Sequence, residues 1–404
     1  MPSLPPEGET PPDDGGLPTH ARASIGRAPF QVYVHVPFCA SRCGYCDFNT
    51  YTAQELGTDV RRETFADVLG AEIAFARAVT GPVPVDAVFV GGGTPTLIGA
   101  EALVGILRRI ESEYGLAPEA EVTTEANPDS VDEAMLEALR AGGFTRISFG
   151  MQSASSAVLG TLDRTHTPGA ADRAIRAARA AGFDHVSADL IIGTPGETDY
   201  DLRASIALAV DAGVDHVSAY TLIVEPGTPL ARRVAAGELP MPDDDVAAHR
   251  YELADALLTE AGYGWYEVSN WARTGGECRH NLGYWRHADW WGIGPGAHSH
   301  VGGVRWWNVR HPSRYAERIA QGQSPAQGRE VLTLEQRRVE AVLLGVRLRE
   351  GIAVDALDHE GRGAAQVLVE RGLLERQALD GGRIRLTDAG RLLADRAIRE
   401  LLGW

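Results

Sequence analysis

Between Tyr33 and Phe48 the chain reads Y-V-H-V-P-F-C-A-S-R-C-G-Y-C-D-F, with three cysteines at a C-x3-C-x2-C spacing directly after a strand-like alternation. A fold for this chain has to present that stretch at a strand end, with three thiols close enough to share one inorganic centre. Cysteine thiolates are the standard ligands of iron–sulfur clusters. A four-iron cubane held by Cys39, Cys43 and Cys46 keeps one iron without a protein ligand, an open corner for a small chelating molecule. Structural zinc is the competing centre, but zinc sites of that kind are normally closed by four ligands. Cys278, His35 or His280 would have to complete it, and nothing in the spacing selects one of them. Clustered thiols with no metal would be prone to oxidation.

The 404 residues suffice for one large domain and a small one. A formal net charge of −17 argues against a nucleic-acid partner, because phosphate binding depends on clustered cations. Four cysteines, three of them clustered, do not make a disulfide framework and fit a reducing, cytoplasmic setting. No run of about 18 apolar residues occurs, so no transmembrane helix is expected. A peripheral contact with a membrane stays compatible with that reading. All 38 basic residues are arginine. Without lysine there is no Schiff-base site and no P-loop, so Gly91-Gly92-Gly93-Thr94 is not a Walker motif.

Residues 1–29 hold seven prolines and four glycines with little apolar content, and are expected to form a disordered tail. From Phe30 onward strands and helices alternate. Strands are expected at Gln31–Val36, Asp86–Val90, Glu121–Glu125, Arg146–Phe149, His185–Ile192, His216–Ile223 and Trp265–Asn270. Helices are expected from Asp59 to Val79, and over Leu103–Ile110, Asp132–Ala141, Gly169–Ala181, Leu202–Ala212 and Asp243–Ala261. Repeated β-then-α units imply a parallel sheet with right-handed connections. In such α/β folds the chemistry collects at the carboxyl ends of the strands. Gly92, Gly93 and Thr94 follow the second strand, Glu125 ends the third, Gln152 follows the fourth, and Asp189 interrupts an otherwise apolar fifth. One such residue alone is a structural hydrogen-bonding group. Their recurrence at successive strand ends points to a ligand rim.

The cysteine spacing resembles the signature of the radical S-adenosylmethionine (SAM) superfamily. The entry strand Y-x-H-x-P-F-C narrows the resemblance to the oxygen-independent coproporphyrinogen oxidase-like branch, and it extends from Phe30 to the C-terminus. Dehydrogenases of that branch usually carry a further cysteine two residues after the third ligand, where this chain has Phe48. The form C-D-F-N is similar to that of the HemW-type heme chaperones. The resemblance implies a partial (β/α)6 barrel over residues 30–320, a [4Fe-4S] cluster on Cys39, Cys43 and Cys46, and an electron donor for it. It also implies SAM contacts at Tyr33, Gly92, Gly93, Thr94, Glu125, Gln152, Arg164 and Asp189, with Arg164 suited to a carboxylate.

Seven of the eight tryptophans fall between Trp265 and Trp307. Part of that concentration is expected to seal the open side of the barrel, and a flat apolar macrocycle would also suit such a wall. Within it, His280-Asn281-Leu282-Gly283-Tyr284-Trp285 matches the heme-linked H-N-x-x-Y-W motif of the chaperones, which marks His280 as the heme candidate. His287, His298 and His300 lie close in sequence. After a loop near 320–328, residues 330–404 read as helices at Thr333–Leu348 and Ala364–Arg371, a short strand at Arg383–Leu386 and a terminal helix at Thr387–Leu401. That order suggests a winged-helix-like α+β domain. Its 12 arginines and 13 acids leave no basic stripe for DNA, so it is expected to pack or to bind protein. The implied function is a heme chaperone that passes heme to client hemoproteins. The alternatives are a coproporphyrinogen III dehydrogenase or another radical SAM enzyme.

Overall fold

The computed structural model describes residues 8–56 and 61–404. Twelve strands form one sheet: β1 Phe30–Val36, β2 Val85–Gly92, β3 Leu116–Ala126, β4 Arg146–Gln152, β5 His185–Ile192, β6 His216–Thr221, β7 Gly264–Glu267, β8 Asn270–Ala272, β9 Asp289–Ile293, β10 His298–Val301, β11 Val304–Asn308 and β12 Ala326–Val331. Their order is β12-β11-β10-β9-β1-β2-β3-β4-β5-β6-β8-β7. Strands β1 to β6 are parallel and lie in sequence order, each joined to the next through helices, which gives the partial (β/α)6 barrel. β9 extends it in parallel beside β1, and β10, β11 and β12 continue antiparallel. On the far side β8 pairs antiparallel with β6.

Period-two alternation decides which residues face the helices and which face the barrel interior. In β1, Phe30, Val32, Val34 and Val36 belong to the main apolar core. The alternate residues Gln31, Tyr33 and His35 carry the polar contacts of the interior. Register carries the polar set across the sheet: Thr123 pairs with Arg146, Glu125 with Ser148, Ser148 with Ser187, and Asp189 with Ser218. The connecting helices are closed by local chemistry. Thr198 and Asp201 form a reciprocal capping box on the helix Asp199–Ala212, which stops at Gly213 with φ 97°.

Residues 8–29 do not form the disordered tail expected of them. Glu9 exchanges backbone hydrogen bonds with Arg329 of β12 and pairs with its guanidinium at 2.7 Å. Leu17 and Ala21 are buried in the main core. A few apolar anchors and one borrowed strand edge are enough to order a Pro/Gly-rich segment. Residues 1–7 of that expected tail, and Asp59 at the expected start of the first long helix, lie outside the described residues; that helix is described over Arg62–Thr80. The single strand expected over Trp265–Asn270 is instead the hairpin β7–β8, turned at Val268-Ser269. The loop expected near 320–328 gives way at Ala326 to β12.

The C-terminal unit has its own core, including Val342, Leu368, Ile384 and Ile398. Helices Leu334–Gly345, His359–Glu370 and Ala394–Leu402 surround a two-stranded wing, β13 Ile352–Ala353 and β14 Arg383–Ile384. The terminal helix expected from Thr387 is broken at Leu393, whose φ of −114° leaves the helical range. Thr387 caps its first segment by accepting from Gly390 N at 2.9 Å. Just before the break, Arg391 reaches across to the barrel, pairs with Asp255 at 2.9 Å and lies over the Trp265 ring at 4.2 Å.

Candidate functional site

The cysteine loop leaves β1 at Val36 and closes over the strand-end rim. Cys39, Cys43 and Cys46 are half-buried and unpaired in disulfides. Burial pushes the thiol of Cys39 up from its ordinary value and that of Cys46 up to about 12. Cys278 is elsewhere. It is buried under the barrel interior, where its Sγ donates to Glu121 Oε1 at 3.4 Å.

The rim predicted from the strand ends is contiguous. Gly93 N donates to Val36 O at 2.8 Å and Thr94 N to Phe38 O at 2.7 Å, so the glycine loop lies against the start of the cysteine loop. A Cβ at Gly93 would overlap the Phe38 carbonyl oxygen and reach Cys39 Sγ at 3.1 Å, and one at Gly91 would lie 2.9 Å from Glu125 Oε2. Only glycine lets the backbone pass that close. Glu125 accepts from Gly92 N at 3.0 Å. Burial, with the nearby Asp189 carboxylate adding to it, pushes Glu125 up to about 8. Burial likewise raises Asp189, against the hydroxyls of Ser218 and Ser148 and the charge of Arg164; Ser148 Oγ lies 3.0 Å from it. Arg164 spans the gap to the cysteines, donating from Nη1 to Cys43 Sγ at 3.2 Å and from Nη2 to Gly150 O at 3.0 Å. Gln152 takes a positive φ of 64° after the bulge in β4. Its Oε1 and the Nε of Arg164 are buried without a hydrogen-bond partner among the described residues. A cradle of glycines, a pair of carboxylates and orphaned polar atoms beside three thiols fit a charged, hydrogen-bonding ligand next to a thiolate-bound centre.

Beside this rim lies a cavity of about 690 Å3, lined among others by Tyr33, Phe48, Tyr220, Tyr284, Trp285 and Trp290. Phe48 is 60 % exposed, an uncommon state for so large an apolar side chain. The helix Arg279–Trp285 packs against β2 and forms the cavity floor. His280, the expected heme contact, does not reach the cavity. It is 1 % exposed, stacks on Phe89 at 4.9 Å, and sets Nε2 at 2.8 Å from Tyr284 Oη. Burial pushes its pKa down to about 3. The wall residues are Asn281, Tyr284 and Trp285 of the same motif. The sequence reading missed Glu267, a buried carboxylate on the cavity pushed up to about 7 by burial. It also missed Ser148 and Ser218. Their signal was available, since each is an inward polar residue at strand period.

Comparison with known proteins agrees with this architecture. The profile described as the radical SAM superfamily matches residues 33–209, and that of the HemN C-terminal domain matches residues 332–393. A protein of Mycobacterium tuberculosis named heme chaperone HemW is 54% identical over 375 residues, covering 93% of this chain and 95% of that one. The chain belongs to the HemW family. The HemW of Bacillus subtilis is 32% identical over 92% of this chain and 98% of its own length. A solved structure of Escherichia coli coproporphyrinogen III oxidase (HemN), described as a radical SAM enzyme, superposes with a TM-score of 0.80 over 94% of this chain and 92% of that one. At 22% identity that likeness shows the shared fold. Among the described residues of this HemW-family chain no helix is long and apolar enough to cross a membrane.

Proposed function

We propose that this chain is a cytoplasmic heme chaperone. In this reading Cys39, Cys43 and Cys46 hold a [4Fe-4S] cluster, the strand-end rim binds SAM, and the aromatic cavity carries heme to client hemoproteins. The cavity carries the argument. Its volume lies in the range of cofactor sites, and its aromatic wall, with exposed Phe48 on the lining, suits a flat apolar macrocycle that has to enter and leave. The names of the HemW relatives support the same reading. A cluster with SAM, supplied by an electron donor, makes one-electron chemistry available in this fold. This chain's own part is binding and orientation. Tyr33, Gly92, Gly93 and Thr94 shape the cradle. Glu125 and Asp189 provide acceptors for ribose or ammonium groups, and Gln152 and Arg164 provide the remaining polar contacts. Neither nucleic acid nor a membrane span enters this reading.

Hemin added to the reconstituted protein is expected to give a shifted Soret band. Coproporphyrinogen supplied with SAM and a reductant is expected to stay undecarboxylated. Formation of protoporphyrinogen would replace the chaperone reading with that of a coproporphyrinogen III dehydrogenase.

The rim has its own test. Asp189→Ala removes an acceptor of charge-assisted hydrogen bonds, worth roughly 1.5–3 kcal/mol, or about 10- to 150-fold in SAM affinity. Calorimetry on the reconstituted variant should read that loss with the cluster absorbance intact. Wild-type SAM affinity in both Asp189→Ala and Glu125→Gln would refute the rim assignment.

A further inference from the structure

The cavity presents one imidazole with uncommitted nitrogens, and it belongs to His298. His35 also lines the cavity, but it spends Nδ1 on Tyr33 Oη at 3.0 Å and Nε2 on Asn49 O at 2.9 Å. His280 lies under the floor against Tyr284. His300 is buried with Nδ1 toward Ala288 O at 3.4 Å, and His287 does not line the cavity. His298, the first residue of β10, opens to the cavity on one side, while its ring packs against Trp307 on the other and is partly shielded from water. Among the described residues its ring nitrogens make no hydrogen bond. Its ring stacks on Trp307 with centroids 6.0 Å apart and planes at 30°, which fixes the orientation. Trp290 Nε1 donates to its backbone oxygen at 3.0 Å, and so ties the cavity wall to this residue.

We infer that His298 is the axial ligand through which the cavity takes the iron of a metalloporphyrin, with Arg310 as counter-charge for the porphyrin's carboxylates. The inference rests on the heme-chaperone reading and assigns the residue that reading requires. Neutral imidazole is the form that binds iron, through a nitrogen lone pair left free. Burial and the charges of Arg310 and Arg305 depress the basicity of His298 and favour that neutral form. Arg310 follows β11 beside the Gly296 loop, where Gly296 N donates to Val309 O at 3.0 Å. Its backbone oxygen accepts from Asn49 Nδ2 at 2.8 Å, while its guanidinium has no hydrogen bond or ion pair among the described residues. Arg310 is not itself a lining residue, but its backbone is held by Asn49 and its neighbour Val309 by Gly296, both on the lining, so an unpaired cation stands at the cavity margin and suits a ligand with an apolar body and an acidic edge. Only coordination is involved: the imidazole nitrogen donates its lone pair to iron and nothing is oxidised or reduced.

The full-length, cluster-reconstituted protein is titrated with hemin and followed by absorption and electron paramagnetic resonance. His298→Ala is expected to lose tenfold or more in affinity and to change the spin-state signature, with free imidazole restoring the wild-type spectrum. Arg310→Gln is expected to weaken hemin binding but to leave binding of its dimethyl ester unchanged. His280→Gln keeps a donor toward Tyr284 and should retain the wild-type spectrum. An unchanged spectrum and affinity in His298→Ala, with the band lost in His280→Gln, would overturn the assignment. A wild-type protein that takes up no hemin would defeat the chaperone reading itself, which is a different outcome.

Discussion

Serine at Cys39, Cys43 or Cys46 is expected to abolish the visible absorbance that the proposed cluster would give the wild-type chain on anaerobic reconstitution with iron and sulfide. Serine at Cys278 should leave that absorbance unchanged. The three loop thiols are half-buried at the barrel mouth, beside the glycine cradle and within reach of the Arg164 guanidinium. Deprotonation of Cys39 and Cys46 is opposed by burial, so a bound metal centre has to draw their protons off, and one missing thiolate cannot be made good by water in a partly desolvated loop. Cys278 serves a different purpose. Its Sγ completes the hydrogen bonding of Glu121 beneath the barrel interior, a task a serine hydroxyl can take over. Iron and sulfide content, measured with the absorbance, separates loss of the cluster from a change in its spectrum. Loss in Cys278→Ser with retention in the three loop variants would reverse the assignment.

Much of this arrangement was legible because the barrel sorts its residues at a period of two. Asp189 interrupts an apolar strand, and Glu125 and Gln152 fall at strand ends, so their convergence followed from counting strands and assuming parallel order. The position of His280 was not legible. A motif names neighbours along a helix, but which of them faces a cavity depends on how that helix is rotated against β1 and β2. Stacking on Phe89 and Tyr33 turns His280 inward and leaves Tyr284 and Trp285 on the cavity wall. The N-terminal segment failed for a related reason. Composition measures what a segment can bury by itself, whereas Leu17 and Ala21 are buried in a core made by the rest of the chain. The split of β7 from β8 depended on a turn at Val268-Ser269 that carries neither glycine nor proline, so only the weaker turn signal of Ser269 and Asn270 marked it.

Arg146→Ala is expected to cost about 3–5 kcal/mol of stability, the range for removing one partner of a buried ion pair. Arg146 and Glu121 face each other at the amino-terminal end of the barrel, 3.0 Å apart, with side chains 1% and 4% exposed. The guanidinium also donates to Gly276 O at 2.9 Å and Glu277 O at 3.1 Å, and so fastens the segment that leads into the cavity-floor helix. Burial pushes the Glu121 carboxyl up, but Arg146, the His280 and Arg279 backbone N–H groups and Cys278 together hold it below its ordinary value. A depressed carboxylate contributes stability that is complete above the unfolded pKa near 4.5 and is lost as pH falls through the folded value. Without Arg146 the balance tips toward burial, and a charged Glu121 becomes a liability that protonation relieves. The deficit of Arg146→Ala in denaturant unfolding should therefore be largest near pH 8 and shrink toward pH 5. The double variant Glu121→Leu/Arg146→Met, which removes both charges, should lose less than Arg146→Ala alone. A deficit independent of pH, together with a double variant no better than the single one, would show that Arg146 acts only through its bonds to Gly276 and Glu277.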